Sequence, residues 1–203
     1  MFDIPLTFGE YMTRESPTLA EVFRAVFDHL RVRDDAILFG SHAVNAYVEP
    51  PRATGDVDIL STDAEGVAED LRELIAKKFH IAVRVRSVAQ GLGWRVYQIR
   101  KPKNRHLVDV RQVDELPPSR QIEDVRVLAP SDLVVFKLES YVNRKHTEKG
   151  LTDKVDLYRL LRAFPQFRSE RGPVAVKLAG TAVRDAWAEI LDQPLEETDD
   201  DAW

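Results

Sequence analysis

The chain of 203 residues contains no cysteine. That excludes structural disulfides, thiolate nucleophiles and cysteine-based zinc sites. No stretch approaches the ~18 consecutive apolar residues of a membrane span. The opening segment MFDIPLTFGEYMTRE lacks a basic region followed by an apolar run, so no secretory signal is expected there. The expectation is a cytoplasmic protein with no membrane partner. No internal repeat or low-complexity core segment is present. What remains is ordinary for a globular protein: 44% hydrophobic and 31% charged residues. The length suits one domain, or a compact domain with a helical extension.

The net charge of −5 hides an uneven distribution. Asp192, Glu196, Glu197, Asp199, Asp200 and Asp201 crowd the last twelve residues, with no basic residue among them. This end, residues 192–203, reads as a flexible acidic tail. Between Lys77 and Arg111 the balance reverses, with ten Lys and Arg against one acid, Asp109. If those cations share a face, they would attract a triphosphate or a nucleic acid.

Periodicity divides the chain into elements. Ser16-Pro17-Thr18 opens a helix with Leu19, Val22, Phe23, Val26, Phe27 and Leu30 at three- and four-residue steps. Ala36–Phe39 reads as a short strand, broken by Gly40-Ser41, and a helix follows to about Val48, ended by Pro50-Pro51. Asp56–Leu60 is a strand, and Asp63 caps a helix to about Phe79. Strands are expected at 81–87, 94–100 and 106–110, then a short strand or edge at 125–128. Helices follow at 132–143 with Ser131 as cap, at 152–164 with Val155, Leu157, Leu160 and Leu161 inward, and at 173–191. The order predicts an α+β fold: a small mixed sheet flanked by helices over residues 1–128, and a helical part over 129–191.

The chemistry concentrates in two stretches. Ile37-Leu38-Phe39-Gly40-Ser41-His42 takes a strand into a helix through Gly-Ser, and free N–H groups at a helix start bind anions. In Asp56-Val57-Asp58-Ile59-Leu60, strand alternation projects Asp56 and Asp58 from one face. Two carboxylates so close repel unless a cation lies between them, and hard oxygen ligands suit Mg²⁺ or Mn²⁺. Asp109, flanked by Val108 and Val110, shares its face with Arg105, Leu107 and Arg111. It completes the acidic set if its strand lies beside that of Asp56; otherwise it pairs with an arginine of its own strand. His42 reads as a first-turn helix residue or a ligand. Trp94, Tyr97 and Tyr47 read as core residues or base-stacking groups.

These residues resemble a known signature. Gly40-Ser41, Asp56-x-Asp58 and a later Asp109 are similar to the three-part pattern of the DNA polymerase β-like nucleotidyltransferase superfamily. Arg52-x-Thr54-x-Asp56-Val57-Asp58 looks like its AbiEii/AbiGii-toxin branch, which also carries a later lysine, an arginine and a closing Asp-x-x-Asp. Here Lys137, Asn143-Arg144 and Asp153-Lys154-Val155-Asp156 stand in that order, with Thr152 where the branch often has lysine. The resemblance spans about residues 37–161 and implies a nucleotidyltransferase core.

It further implies metal binding by Asp56, Asp58 and Asp109, with two ions about 4 Å apart and Asp109 steering the attacking hydroxyl. Gly40, Ser41, Lys137 and Arg144 would bind the nucleoside triphosphate, ATP or another. Lys137 and Arg144 lie two helical turns apart and so share a face; they also read as a surface lysine and a helix-terminal cation. Asp153 and Asp156 would anchor them or serve as helix N-terminal acids. The implied acceptor is a hydroxyl of RNA, tRNA or a protein, in the toxin of a toxin–antitoxin pair with a cognate antitoxin. A small-molecule, antibiotic-type transferase and a non-catalytic nucleotide- or RNA-binding module are the other readings.

Overall fold

A computed structural model describes residues 17–193 of the chain. The expected acidic tail therefore falls, after Gln193, outside the described residues. Among these the chain forms α1 (Leu19–Leu30), β1 (Ala36–Phe39), α2 (Gly40–Tyr47), β2 (Val57–Ser61), α3 (Ala64–Phe79), β3 (Val83–Val88), β4 (Gly93–Gln98), β5 (Arg105–Gln112), β6 (Ser119–Ile122), β7 (Val125–Leu128), α4 (Pro130–Arg144), α5 (Glu148–Ala163) and α6 (Thr181–Asp192). The fold is α+β.

One mixed sheet of seven strands runs in the order β3-β4-β5-β2-β1-β7-β6. The central pair, β2 and β5, is parallel; β1 lies antiparallel to β2 and parallel to β7. Two antiparallel pairs, β3–β4 and β6–β7, form its ends. The helix α3 crosses β3, β4 and β5 on one face. Its buried residues, Ala64, Val67, Ala68, Leu71 and Ile75, recur at helical spacing and meet Val57, Ile59, Val96, Val108 and Val110. Burying a side chain such as Leu71 contributes about 1.5–3 kcal/mol, and truncating it to alanine would cost about 2–5 kcal/mol. The helices after Leu128 share this core: Leu133, Val134 and Leu138 of α4 and Leu157, Leu160 and Leu161 of α5 belong to the same apolar cluster as the strands.

Local signals explain several boundaries. Thr18 caps α1 with a reciprocal bond to Glu21. Asp63 accepts from the Gly66 N–H at the start of α3. Elsewhere the structure corrects the sequence reading. Ser131 is not the cap of α4: Pro130 occupies the first turn, where its missing N–H costs nothing, and Ala129 precedes it. The next helix starts a turn earlier than 152, because Thr147 accepts from the Gly150 N–H. Val155 is 52% exposed rather than inward. Residues 173–191 do not form one helix; a short 3₁₀ turn at Ala175–Lys177 precedes Gly180, whose positive φ of 79° separates it from α6. The strand β6 carries too little hydrophobic alternation to be seen in the sequence. It exists because Glu123 and Asp124 adopt left-handed φ and turn it back onto β7.

Candidate active site

The parallel register of β2 and β5 places Asp58 directly beside Asp109. Asp56 stands two residues earlier, just before β2 begins. On the other side of β2, Phe39 is the register partner of Asp58, and the chain turns there through Gly40 into α2. Gly40 has φ +68°, and a Cβ at this position would lie 2.0 Å from Asp58 Oδ2. Only glycine lets the helix start so close to the carboxylate. Among the described residues no side chain caps this helix N-terminus, so its first N–H groups are available to an anion.

A cavity of about 300 Å³ opens over these residues. It is lined by all seven residues singled out from the sequence, Gly40, Ser41, Asp56, Asp58, Asp109, Lys137 and Arg144. Arg52, Arg95, Arg111 and Lys149 also line it, so six Lys and Arg face Asp56, Asp58, Asp109 and Asp153. The surplus of positive charge favours an anionic occupant.

The cations are held by buried acids. Asp156 is fully buried on α5 and takes a bidentate pair from Arg52, with Nε–Oδ1 and Nη2–Oδ2 both 2.7 Å. Lys137 Nζ lies 2.7 Å from the same carboxylate, 3.2 Å from Asp153 Oδ1 and 3.3 Å from Ser41 Oγ. Arg144 binds Asp153 Oδ2 through Nε at 2.9 Å and Nη2 at 2.8 Å. Arg52 Nη2 also donates to Ser41 Oγ at 2.5 Å. Burial opposes the charged form of Asp156, but Arg52 and Lys137 overcome it and hold its pKa below the usual carboxylate range. Asn45 clamps the segment that carries Arg52, accepting from its backbone N–H and donating to its carbonyl. Thus α2, the 48–56 segment, α4 and α5 meet in one ionic network.

The acidic cluster is differently balanced. Burial, and then the charges of Asp56 and Asp109, push the Asp58 pKa up to about 6. A hydrogen bond from His106 holds Asp56 low, with Nδ1–Oδ2 at 3.0 Å. Arg95 Nε sits 3.1 Å from Asp109 Oδ2. Among the described residues, no three His, Asp or Glu side chains converge as a ready metal cage. Yet the donor set fits a hard divalent cation: three carboxylates from β5 and the start of β2, of which half-buried Asp58 stands beside like charge and forms no ion pair among the described residues.

Some placements were not foreseen. The β4–β5 pairing slips between Val96 and Tyr97, so Leu107 enters the core rather than sharing the face of Asp109. His106 takes the open position, its ring 5.0 Å from that of Tyr97. His106, Arg95 and Lys149 were not among the expected site residues; no local pattern marks them, since the sheet register and the α5 approach bring them in. His42 packs edge-on against Phe23 and Phe27, and its Nε2 meets Thr54 Oγ1. Tyr47 donates to the Leu128 carbonyl, and Trp94 packs against the core; neither lines the cavity.

No family model matches the chain, and no curated protein is recognisably similar to it in sequence. Solved structures are similar in shape. The Megavirus polyadenylate synthase superposes with a TM-score of 0.59 at 14% identity, covering 82% of this chain and 40% of its own. JHP933 from Helicobacter pylori gives 0.51 at 14% identity, covering 84% and 86%. An antigenic nucleotidyltransferase-like protein from Paracoccidioides brasiliensis gives 0.51 at 17% identity, covering 85% and 88%. The chain spans less than half of the Megavirus enzyme. These likenesses establish that it has a nucleotidyltransferase fold.

Proposed function

We propose that the chain is a divalent-metal-dependent nucleotidyltransferase that moves a nucleoside monophosphate from a nucleoside triphosphate to an acceptor hydroxyl. The observation that carries this reading is the Asp58–Asp109 register pair, with Asp56 alongside, facing an uncapped Gly40-Ser41 helix start in a cation-rich cavity. Asp56, Asp58 and Asp109 would hold Mg²⁺ or Mn²⁺, which would neutralise charge on the reacting phosphate. Gly40 and Ser41 would bind the terminal phosphates through the helix N-terminus. Lys137 and Arg144, held in place by Asp153, would hold the triphosphate from the α4 side. Asp109 would take the hydroxyl's proton at Oδ1, since Oδ2 is engaged by Arg95. The acceptor oxygen forms a bond to the α-phosphorus as the bond from that phosphorus to its bridging oxygen breaks, releasing pyrophosphate.

The network joining Arg52, Lys137, Asp153 and Asp156 supports membership of the AbiEii/AbiGii-toxin-like branch, because it unites the two halves of that motif. On this reading the chain is a toxin restrained by an antitoxin. The test is direct. Purified protein is incubated with Mg²⁺, each labelled nucleoside triphosphate, and RNA or protein acceptors. Label transfer that disappears in Asp58→Asn and Asp109→Asn supports the enzyme. Nucleotide binding without transfer, equal in both variants, refutes it. Growth arrest on expression, lost in the same variants, tests the toxin role.

A further inference from the structure

The open face of the sheet beyond the cavity carries a row of arginines in register with the acidic cluster. Arg86 on β3 pairs with Arg95 on β4, Arg95 pairs with Asp109 on β5, and Asp109 pairs with Asp58 on β2. Arg84 pairs in the next row with Tyr97, which pairs with His106. Val83, Val85, Trp94 and Val96 alternate with these residues and pack against the core under α3. The arginines therefore project from the opposite face, on which no described helix packs against β3 or β4. Arg84 and Arg86 are exposed, and neither forms an ion pair among the described residues. Arg84 instead lies over the Tyr97 ring, 5.8 Å from its centroid. Charge on an edge strand alone would serve to block unwanted strand pairing. Here the row continues inward through Arg95 to Asp109, with Arg111 two residues further along β5, which that role does not require.

We infer that this face is the track along which a single-stranded polynucleotide lies with its terminal hydroxyl at Asp109. The inference rests on the nucleotidyltransferase reading for the hydroxyl's fate, and on the arginine row for the binding. Three strand spacings separate β2 from β3, about 14 Å, so Arg84 and Arg86 meet the phosphates behind the terminal nucleotide. Tyr97, with Arg84 over its ring and the His106 ring 5.0 Å away, would present a face to a base once Arg84 turns to a phosphate. Spaced arginines interleaved with an aromatic ring suit a phosphodiester chain better than an acidic peptide, which gives no ring to stack.

Fluorescence anisotropy with labelled RNA and DNA oligonucleotides of about 16 nucleotides tests this over a range of salt. The double variant Arg84→Glu/Arg86→Glu should bind at least tenfold more weakly than the wild type. Its salt slope should be shallower by about 1.4, two phosphates at about 0.7 each. Arg120→Glu, on the far edge strand, should change neither, and the double variant should bind nucleoside triphosphate normally, as neither arginine lines the cavity. Arg84→Gln/Arg86→Gln, with an unchanged melting temperature, guards against misfolding. Equal polynucleotide binding by wild type and double variant overturns the proposal. So does wild-type protein that binds no oligonucleotide yet labels a protein or small molecule, a result that leaves the enzyme reading intact. Arginine-dependent binding without transfer to any acceptor keeps the track and refutes the enzyme. The RNA and DNA arms decide which polynucleotide is held.

Discussion

Asp58 and Asp109 are direct partners in the parallel pairing of β2 with β5, and Asp58 carries a pKa of about 6 because it is buried beside two other carboxylates. On the proposed function, activity and stability are therefore opposed at Asp58. Asp58→Asn should abolish nucleotidyl transfer by about a thousandfold or more, the loss of several kcal/mol of charge stabilisation. The same change should stabilise the fold at pH 8 by about 1–2 kcal/mol, since the raised pKa marks a charged form disfavoured in the folded state. Calorimetry should show a melting temperature higher by a few degrees. A lower melting temperature would show that the carboxylate is structurally required.

Metal should reverse the balance. Mn²⁺ or Mg²⁺ should raise the melting temperature of the wild type in a concentration-dependent way, as binding to the folded state alone predicts. The increase should shrink or vanish in Asp58→Asn and in Asp109→Asn. A shift of equal size in all three proteins would place the cation elsewhere.

Asp156 is the anchor of the cationic side. Replacing it with asparagine leaves Arg52 without its bidentate partner and deprives the buried Lys137 of its shortest contact. Breaking a buried pair from one side costs about 3–5 kcal/mol. Urea unfolding should show this loss, together with weaker nucleotide binding. Lys154→Ala, two residues away but paired with Glu189 near the surface, should cost under about 1 kcal/mol.

Gly40→Ala should be folded yet strongly impaired in transfer. The left-handed φ costs about 1–2 kcal/mol for a residue with a Cβ. The larger effect is displacement of Asp58, whose oxygen occupies the space the Cβ needs. Displacements of this order cost about a hundredfold in rate. Transfer assays on a variant with native circular dichroism provide the check.

His42 gives a pH signature. Burial lowers its pKa from the ordinary value of 6.5 to about 4, so the folded state favours the neutral ring. Between these values the unfolded chain binds the proton and the folded chain does not. Its contribution is complete above pH 6.5 and falls away as the pH drops towards 4, by about 3 kcal/mol at most. Unfolding measured against pH in wild type and His42→Gln should differ in slope within that window and run parallel above it.

The sequence by itself determined the elements that bring the site together. Apolar spacing defined α1, β1, α3 and β7 nearly to the residue, and strand alternation set Asp56 and Asp58 on one face. The Gly40-Ser41 break marked the helix start, because a turn so close to a carboxylate demands glycine and glycine is visible in a sequence. Tertiary structure decided everything that depends on which strand lies beside which. The adjacency of Asp109 to Asp58 requires a parallel crossover that no local pattern encodes. The slip in the β4–β5 register exchanged Leu107 for His106 on the open face. The pairing of Arg52 with Asp156 joins residues 104 positions apart. Alternation within a strand is fixed by backbone stereochemistry and so can be read locally. Register between strands is fixed by the packing of the whole core, and the arginine row that leads to Asp109 exists only at that level.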